Sequence, residues 1–373
     1  MNLDFSDDQK QLQEQVRRYL TEKCPTSKVR EVLESDTTYA ADVYKGLAEL
    51  GALSVAIPEE YGGVGLSHLE LCLVAEEIGR AMAPVPAASS IYLAAEFLLE
   101  AGSEAQKSKW LPALASGESV GCFAYAEGLG EMSDDKISAT VSDGKLSGTK
   151  LPVADGSIAD FAVVAAKSNG KTSLFLVDLS ADGVSRTVVE TVDPTKNYAE
   201  LSFQNAPAEA LVAEGDGWHI LTTVMDRAAV LLAFEQLGGA DRALEMGRDY
   251  ALERMAFGRP IGSFQAIKHM LADMYVSATL ARSNCYYAAW ALSTRSEELP
   301  VAAATARVSA TNAFQHCAKN NIQVHGGMGF TWEFDCHLYY RRSNALALVL
   351  GSLSSWEREL IVRMSEQDLT DAA

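Results

Sequence analysis

The sequence is poor in the features that mark several large protein classes. Its six cysteines are scattered and form no CxxC pair, which argues against a disulfide framework and against a zinc site. No apolar run reaches the roughly 20 residues that a membrane-spanning helix needs. The amino-terminal stretch is acidic and amphipathic, unlike a signal peptide. Together these absences predict a cytoplasmic protein with reduced thiols and no membrane association.

Positive charge is also scarce. Lysine and arginine number 31 against 50 aspartates and glutamates, giving a formal net charge of −19. Nucleic acids and anionic membranes are therefore poor partners, although single arginines can still bind the phosphates of a cofactor. The six histidines are dispersed without metal-ligand spacing, so no metal site is predicted.

The hydrophobic period divides the 373 residues into three parts. Residues 1–118 carry apolar residues at helical spacing, as do residues 214–373. Between them, residues 119–213 alternate over short β-branched and aromatic runs that Gly, Asp, Ser and Asn separate. We therefore predict an α+β fold with an N-terminal helical domain, a middle antiparallel β-domain and a C-terminal helical domain, rather than a doubly wound sheet.

One stretch, RMAFGRPIGSFQ from Arg254 to Gln265, interrupts the helical pattern sharply. Gly258 and Gly262 permit backbone angles closed to other residues, and Pro260 cannot continue a helix. The pattern predicts a helix–turn–helix with an arginine just before the turn and a glutamine just after it. Arginine is a fork suited to phosphate, whereas the alternative is an ordinary interhelical loop with a surface arginine.

A second stretch, QVHGGMGF, runs from Gln323 to Phe330 after an alanine-rich helical segment. Its adjacent glycines, Gly326 and Gly327, let a backbone approach another group closely. The first motif, followed roughly 60 residues later by Gln-x-x-Gly-Gly-x-Gly-Phe, resembles the acyl-CoA dehydrogenase family. The resemblance extends over essentially the whole chain, including the segment LAELGALSVAIPEEYGGVG in the first part.

This resemblance implies a C-terminal four-helix bundle and an FAD-dependent reaction. Members of the family oxidise an acyl-CoA thioester to its trans-2-enoyl form: a carboxylate removes the α-proton, and the β-hydrogen leaves as hydride to the flavin. Electron-transfer flavoprotein is the implied electron acceptor, and a homotetramer or an α2β2 heterotetramer is the implied assembly. The positions that match the family's FAD contacts are Arg254, Phe257 and Gln265, and, across a subunit boundary, Gln323, Gly326 and Gly327.

The catalytic base departs from the commonest family pattern. Most members place a glutamate before a Gly-Thr near the C-terminus, where this chain has Leu350 before Gly351. A minority place it directly before an arginine that Arg227 matches, and Asp226 stands there. The resemblance thus makes Asp226 the candidate base and Arg227 a substrate-binding residue near CoA. The alternatives are a helix-start or solvated acid for Asp226 and a buried salt bridge for Arg227.

The flavin-ring contacts also depart from the pattern. The family's tryptophan and threonine beside the ring fall near Pro152 and Ala154, and its Thr-Glu-Pro becomes Ala126-Glu127-Gly128. These replacements, with the segment EEIGRAMAPVP, resemble short bacterial members that act on steroid side chains. Several of those members assemble as α2β2 tetramers in which two chain types share incomplete sites.

Three hypotheses follow. The first is an FAD-dependent acyl-CoA dehydrogenase for a bulky acyl group, with Asp226 as base. The second is a non-catalytic partner subunit that contributes FAD-binding surface to a catalytic neighbour, which Leu350 and the lost ring contacts favour. The third, a flavin oxidase or hydroxylase on the same fold, is the weakest. The FAD content of the purified chain discriminates the first two.

Overall fold

The computed structural model describes residues 5–128, 130–131, 133–211 and 217–371. Its contacts divide into two compact units. The first combines the chain through Lys28 with His68–Ala83 and everything from Ala229 onward, and the second comprises Val29–Ser67 and Pro84–Ala228. The predicted boundary between residues 213 and 214 lies outside the described residues, and the three-domain division stays a prediction.

Long helices form the first unit. Helix α1 (Asp7–Lys23) begins at Ser6, whose hydroxyl accepts from the Gln9 amide while the Gln9 side chain accepts from the Ser6 amide, a reciprocal cap that satisfies two helix-end donors. Val16 and Leu20 on its apolar face are buried, as their spacing predicts. The other helices of this unit are α4 (His68–Arg80), the later part of α7 (Gly217–Glu253), α8 (Gln265–Ser293), α9 (Leu299–His325), α10 (Cys336–Leu346) and α11 (Leu353–Asp371).

Two glycines let α4 and α7 approach each other backbone to backbone. A Cβ atom on Gly79 would lie 1.8 Å from the Glu235 carbonyl oxygen, and one on Gly238 would lie 1.9 Å from that of Glu76. Neither position can hold a side chain unless the helices separate. The close packing of α4 on α7 therefore requires glycine at both of these positions.

The second unit combines short helices with a sheet. Its helical elements include α3 (Ala41–Glu49), a π-helix over Ala88–Ala95 that continues directly into α5 (Glu96–Ala101), and α6 (Glu104–Ala115). Helix α2 (Thr26–Glu34) crosses the division between the units. The apolar run at residues 87–101 predicts a helix, and the structure has one there. Its first part is π-helical, which the apolar period does not reveal.

The sheet has eight strands in the described residues, in the order β6-β7-β3-β2-β4-β5-β8, with β1 paired to β4. Most neighbours are antiparallel, as predicted, but β4 runs parallel to two strands: to β1, with Gly121 opposite Phe161, and to β2, with Thr140 opposite Lys167. The β-branched run at residues 187–192 predicts a strand, which the structure places at Val184–Val188 instead. The strands are β1 (Gly121–Ala124), β2 (Thr140–Ser142), β3 (Lys145–Ala154), β4 (Phe161–Ser168), β5 (Lys171–Asp178), β6 (Val184–Val188), β7 (Tyr198–Pro207) and β8 (Glu209–Ala210).

The order of helical, sheet and helical parts confirms the predicted α+β fold class. All six cysteines are buried with free thiols. Among the described residues, no helix has the length and apolarity that crossing a membrane requires. In the same part of the chain, no group of three or more His, Cys, Asp or Glu residues is arranged to hold a metal ion.

Candidate functional site

The first motif forms the predicted interruption between two long helices. Helix α7 ends at Glu253, a two-stranded hairpin follows (β9, Met255–Ala256, and β10, Arg259–Pro260), and α8 begins at Gln265. The Ile261 amide donates to the Arg254 carbonyl oxygen at 2.8 Å and closes the turn. Phe257 adopts the left-handed backbone region with φ of 52°, and Gly258 follows with φ of 77°. A bulky residue in this region is strained, which marks the hairpin tip as a candidate functional position.

The side chains of this motif project into solvent. Phe257 is 95% exposed, an unusual position for a phenylalanine, and Arg254 and Gln265 are exposed as well. Among the described residues, no ion pair engages the Arg254 guanidinium. Arg259 lies over the Phe264 ring at 4.1 Å. An exposed aromatic ring beside an unengaged cation suits an anionic, aromatic ligand or a second protein surface.

The second motif lies at the C-terminal end of α9. The helix ends at His325, and Gly326 (φ 60°, ψ −136°) starts a 3-10 turn over Gly326–Phe330. Gln323 is exposed, and Cβ atoms built on Gly326 and Gly327 would meet no described atom within 4 Å. Both glycines therefore border open space, where a ligand or a partner backbone can come close.

A buried histidine of the second motif packs against the end of α7, just before the first motif. The His325 ring stacks on Tyr250 with centroids 4.1 Å apart, and its Nδ1 lies 2.8 Å from the Asn321 carbonyl oxygen. Because Tyr250 is on the last turns of α7 and His325 ends α9, this contact brings the ends of these helices together. Burial lowers the pKa of His325, although the bond to Asn321 opposes that shift.

These residues fit the phosphate and adenine end of FAD. An exposed arginine, an exposed ring, two exposed amide side chains and two unobstructed glycines supply charge, stacking surface, donors and close backbone approach. In the second unit, the two positions that match the family's flavin-ring contacts are Pro152 and Ala154 on β3, whose side chains offer neither an aromatic ring nor a hydroxyl. At these two positions a flavin can form hydrogen bonds to backbone groups and not to side chains.

A buried ion pair lies beside this part of β3. The Lys150 ammonium, fully buried, donates to the Glu127 carboxylate at 2.6 Å and to the Tyr125 carbonyl oxygen at 3.2 Å. Glu127 also accepts from the amides of Ser138 and Ala139. Burial lowers the pKa of Lys150 despite the opposing glutamate. The two charged groups therefore tie β3 to the segments around Tyr125 and Ser138.

The candidate base lies near the start of α7, at the opposite end of this helix from the first motif. Asp226 is 6% exposed, so it is not the solvated acid of the alternative interpretation. Arg227 is bound by two glutamates of α5: its Nη1 lies 3.4 Å from Glu96 and its Nη2 lies 2.6 Å from Glu100. The structure thus adds two partners to Arg227, while its predicted contact with CoA stays a prediction.

Residue 350 lies in the connection between α10 and α11. Leu350 is buried, has a left-handed backbone with φ of 61°, and is followed by Gly351 at φ of 111°. The fully buried Arg307 of α9 holds this connection, since its Nη2 donates to the Val349 carbonyl oxygen at 2.7 Å and also to that of Leu346. No carboxylate stands at this turn, in agreement with the sequence.

Sequence reasoning missed Arg307, Glu96 and Glu100. Arg307 was visible as the one charged residue in an alanine-rich run, ATARVSAT, which is an unusual place for a solvated arginine. Glu96 and Glu100 stand four residues apart in an otherwise apolar helix, a spacing that places both on one face.

Comparison with known proteins decides the family. Residues 6–118 match the model of the acyl-CoA dehydrogenase N-terminal domain, and residues 215–364 match that of the acyl-CoA dehydrogenase C-terminal domain. The chain belongs to the acyl-CoA dehydrogenase family. It is 33% identical over 362 residues to acyl-CoA dehydrogenase IpdE2 of Mycobacterium tuberculosis, covering 97% of each chain.

Two solved structures support the same placement. A variant of the steroid acyl-CoA dehydrogenase Tcur3481-Tcur3483 is 31% identical, with a TM-score of 0.89 over 97% of this chain and 99% of the other. The ChsE4-ChsE5 complex from Mycobacterium tuberculosis is 27% identical, with a TM-score of 0.90 over 98% and 99%. The predicted family, fold and enzyme class are confirmed: this acyl-CoA dehydrogenase is an oxidoreductase, and its cofactor is FAD.

Proposed function

We propose that this acyl-CoA dehydrogenase desaturates a bulky, steroid-derived acyl-CoA thioester, with Asp226 as the base that removes the α-proton. The observation that carries the assignment of the base is the burial of the Asp226 carboxylate in a chain whose position 350 is aliphatic. An α-C–H is a weak acid, and a base reaches it efficiently only from a fixed position in a water-poor site. The name of the Tcur3481-Tcur3483 relative supports the steroid class of the acyl group.

In this proposal Arg254, Phe257 and Gln265 bind the phosphate and adenine end of FAD, together with Gln323, Gly326 and Gly327. FAD supplies the hydride acceptor when bound. The chain's own residues hold the cofactor and orient the thioester, and Arg227 contacts the CoA portion through the guanidinium donors that its two glutamates leave available. Electron-transfer flavoprotein takes the electrons onward.

The assembly is part of the proposal. Phe257 at 95% exposure and Phe330 at 83% are apolar rings on the two motifs, and their exposure in a single chain supports a tetramer in which a neighbouring chain covers them. Two of the related structures carry names that join two chains, which supports an α2β2 arrangement beside the homotetramer.

A second candidate function has its own support. Leu350 at the turn, with Pro152 and Ala154 at the flavin-ring end, favours a partner subunit that lends its exposed FAD-binding residues to a base-bearing neighbour. In that case Asp226 performs no chemistry, and an adjacent chain supplies the carboxylate.

The Asp226→Asn variant separates the two. We expect the purified wild-type protein to be yellow and to bleach with a steroid-type acyl-CoA, and the variant to keep its FAD and lose bleaching by at least about a hundredfold. Bleaching that is unchanged in the variant removes Asp226 from the reaction. A colourless wild-type chain that gains FAD and activity only when coexpressed with a second chain assigns it the partner role.

A further inference from the structure

Three charged side chains of the second unit meet where its interior borders solvent: Glu96 is buried, Arg227 is partly exposed and Glu100 is exposed. Glu96 is 1% exposed and Glu100 lies one helical turn further along α5, so both carboxylates project from the same face. Like charges at this spacing repel each other unless a cation lies between them. Arg227 of α7 is that cation, with Nη1 toward Glu96 at 3.4 Å and Nη2 toward Glu100 at 2.6 Å. We call Glu96, Glu100 and Arg227 the α5–α7 clamp.

The π-helix before α5 belongs to the same feature. Its eight residues, Ala88–Ala95, are almost all buried, and it continues without a break into Glu96. A π-helix has more residues per turn than an α-helix, so it changes the rotational register of everything that follows it. Such segments are frequent at functional sites. Here the register that follows the π-helix is the one that turns both glutamates toward Arg227.

The clamp determines the direction in which Asp226 points. Consecutive residues of an α-helix project about 100° apart around its axis, because one turn holds 3.6 residues. When Arg227 is fixed to α5, the rotation of α7 at this turn is fixed as well, and with it the direction of the Asp226 side chain. An arginine that is 14% exposed and bound by two carboxylates is a more rigid reference than a single ion pair between fully exposed side chains.

We infer that Glu96 and Glu100 are positioning residues that hold Arg227, and thereby Asp226, in the geometry needed for proton removal. The inference rests on the proposed function, since it assigns the clamp to the base proposed there. It differs from a role for Arg227 in substrate binding alone, because that role needs no fixed rotation of α7. The two roles move different kinetic constants: loss of positioning lowers kcat, and loss of binding raises KM.

The test uses Glu100→Gln, Glu96→Gln and Arg227→Lys in the FAD-loaded, assembled protein, with steroid-type acyl-CoA as substrate. We expect Glu96→Gln and Glu100→Gln to lower kcat about tenfold while KM changes by less than about twofold, since a displaced base costs rate rather than affinity. Arg227→Lys should lower kcat as well, and its KM should also rise, because Arg227 contacts CoA in the proposed function. Arg227→Lys should keep more activity than Arg227→Met, because it retains the charge between the glutamates. Asp249→Asn breaks an exposed ion pair on the same helix and should change neither constant.

A readout without substrate keeps this inference separate from the proposed function. Amide hydrogen exchange over residues 221–231 should accelerate in Glu100→Gln and stay unchanged in Asp249→Asn, because the clamp ties this part of α7 to α5, whereas Asp249 lies more than five turns further along the helix. A raised KM with intact kcat, or unchanged exchange, overturns the clamp. Full activity in Asp226→Asn overturns the proposed function instead, and the exchange result then still decides whether the clamp fixes the helix.

Discussion

The arginines at the two ends of α7 differ in exposure and in ion pairing. Near its start, the Arg227 side chain is only 14% exposed and lies between two glutamates of the same unit. Just past its end, Arg254 is exposed, and no ion pair of the described residues engages it. An arginine held by two carboxylates of its own chain contributes to structure and keeps only its remaining donors for a ligand. One that is left in solvent beside an exposed phenylalanine is available to a ligand or a neighbouring chain.

The largest expected difference between the two ends is in stability. Arg227→Met should lower the free energy of unfolding by about 3–5 kcal/mol, because it leaves a buried glutamate without its cation. Arg254→Met should change it by less than about 0.5 kcal/mol, as surface substitutions usually do. Urea denaturation of both variants measures the difference. If both variants lost the same free energy of unfolding, the two arginines would not differ in their structural role.

Cofactor affinity should show the reverse order. Arg254→Gln should weaken FAD binding by about 1.5–3 kcal/mol, the usual contribution of a hydrogen bond to a charged group. Titration of the apoprotein with FAD measures the loss. Arg254→Lys is the matched control, since it keeps the charge but not the planar fork and should recover only part of the affinity. Unaltered affinity in Arg254→Gln would remove this arginine from the site.

A smaller effect is expected on the pH dependence of stability, from His325 near the C-terminal end of α7. Burial lowers the pKa of His325 below its ordinary value, so the unfolded chain binds a proton more readily than the folded one. The stability from the neutral ring is complete above the unfolded pKa of about 6.5 and is lost as pH falls through the lower folded pKa. His325→Gln should flatten this part of the stability–pH curve, measured by thermal unfolding between pH 5 and 8. A curve as steep as that of the wild type would place the proton uptake elsewhere.

The smallest stability effect should come from Gly327→Ala. A Cβ atom there meets no described atom within 4 Å, so the free energy of unfolding should move by less than about 0.5 kcal/mol. FAD affinity should still fall, because the methyl group enters the space that the cofactor approaches. Calorimetric titration alongside thermal unfolding tests both statements. A loss of stability without a loss of affinity would make this glycine structural.

The sequence predicted the exposed end better than the buried one. The motif around Arg254 and the one around Gly326 are contiguous, and their glycines and proline specify a local backbone, so position and type could be read directly. The partners of Arg227 could not. Glu96 and Glu100 are more than a hundred residues away, and their approach depends on the π-helical register before them, which the apolar period does not encode.

The same distinction applies to the turn at Leu350. The sequence alone shows that this position has no carboxylate, because residue 350 is a leucine. It gave no sign that Arg307, 43 residues earlier in the chain, holds the turn through two carbonyl oxygens. Every residue has a backbone carbonyl oxygen, so the sequence does not show which ones accept from Arg307. Only the packing of the helices shows it.

By itself, the sequence determined the order of helical and sheet parts and the residues of the two motifs, because these depend on local pattern and on residue type. Through the resemblance that the motifs carry, it also indicated the family and its FAD cofactor. Only the tertiary structure decided that Asp226 is buried and that Arg227 is held by Glu96 and Glu100. The physical reason is that burial and ion pairing are properties of distant segments brought together. Their free energy depends on dielectric environment and distance, and the order of residues along the chain specifies neither.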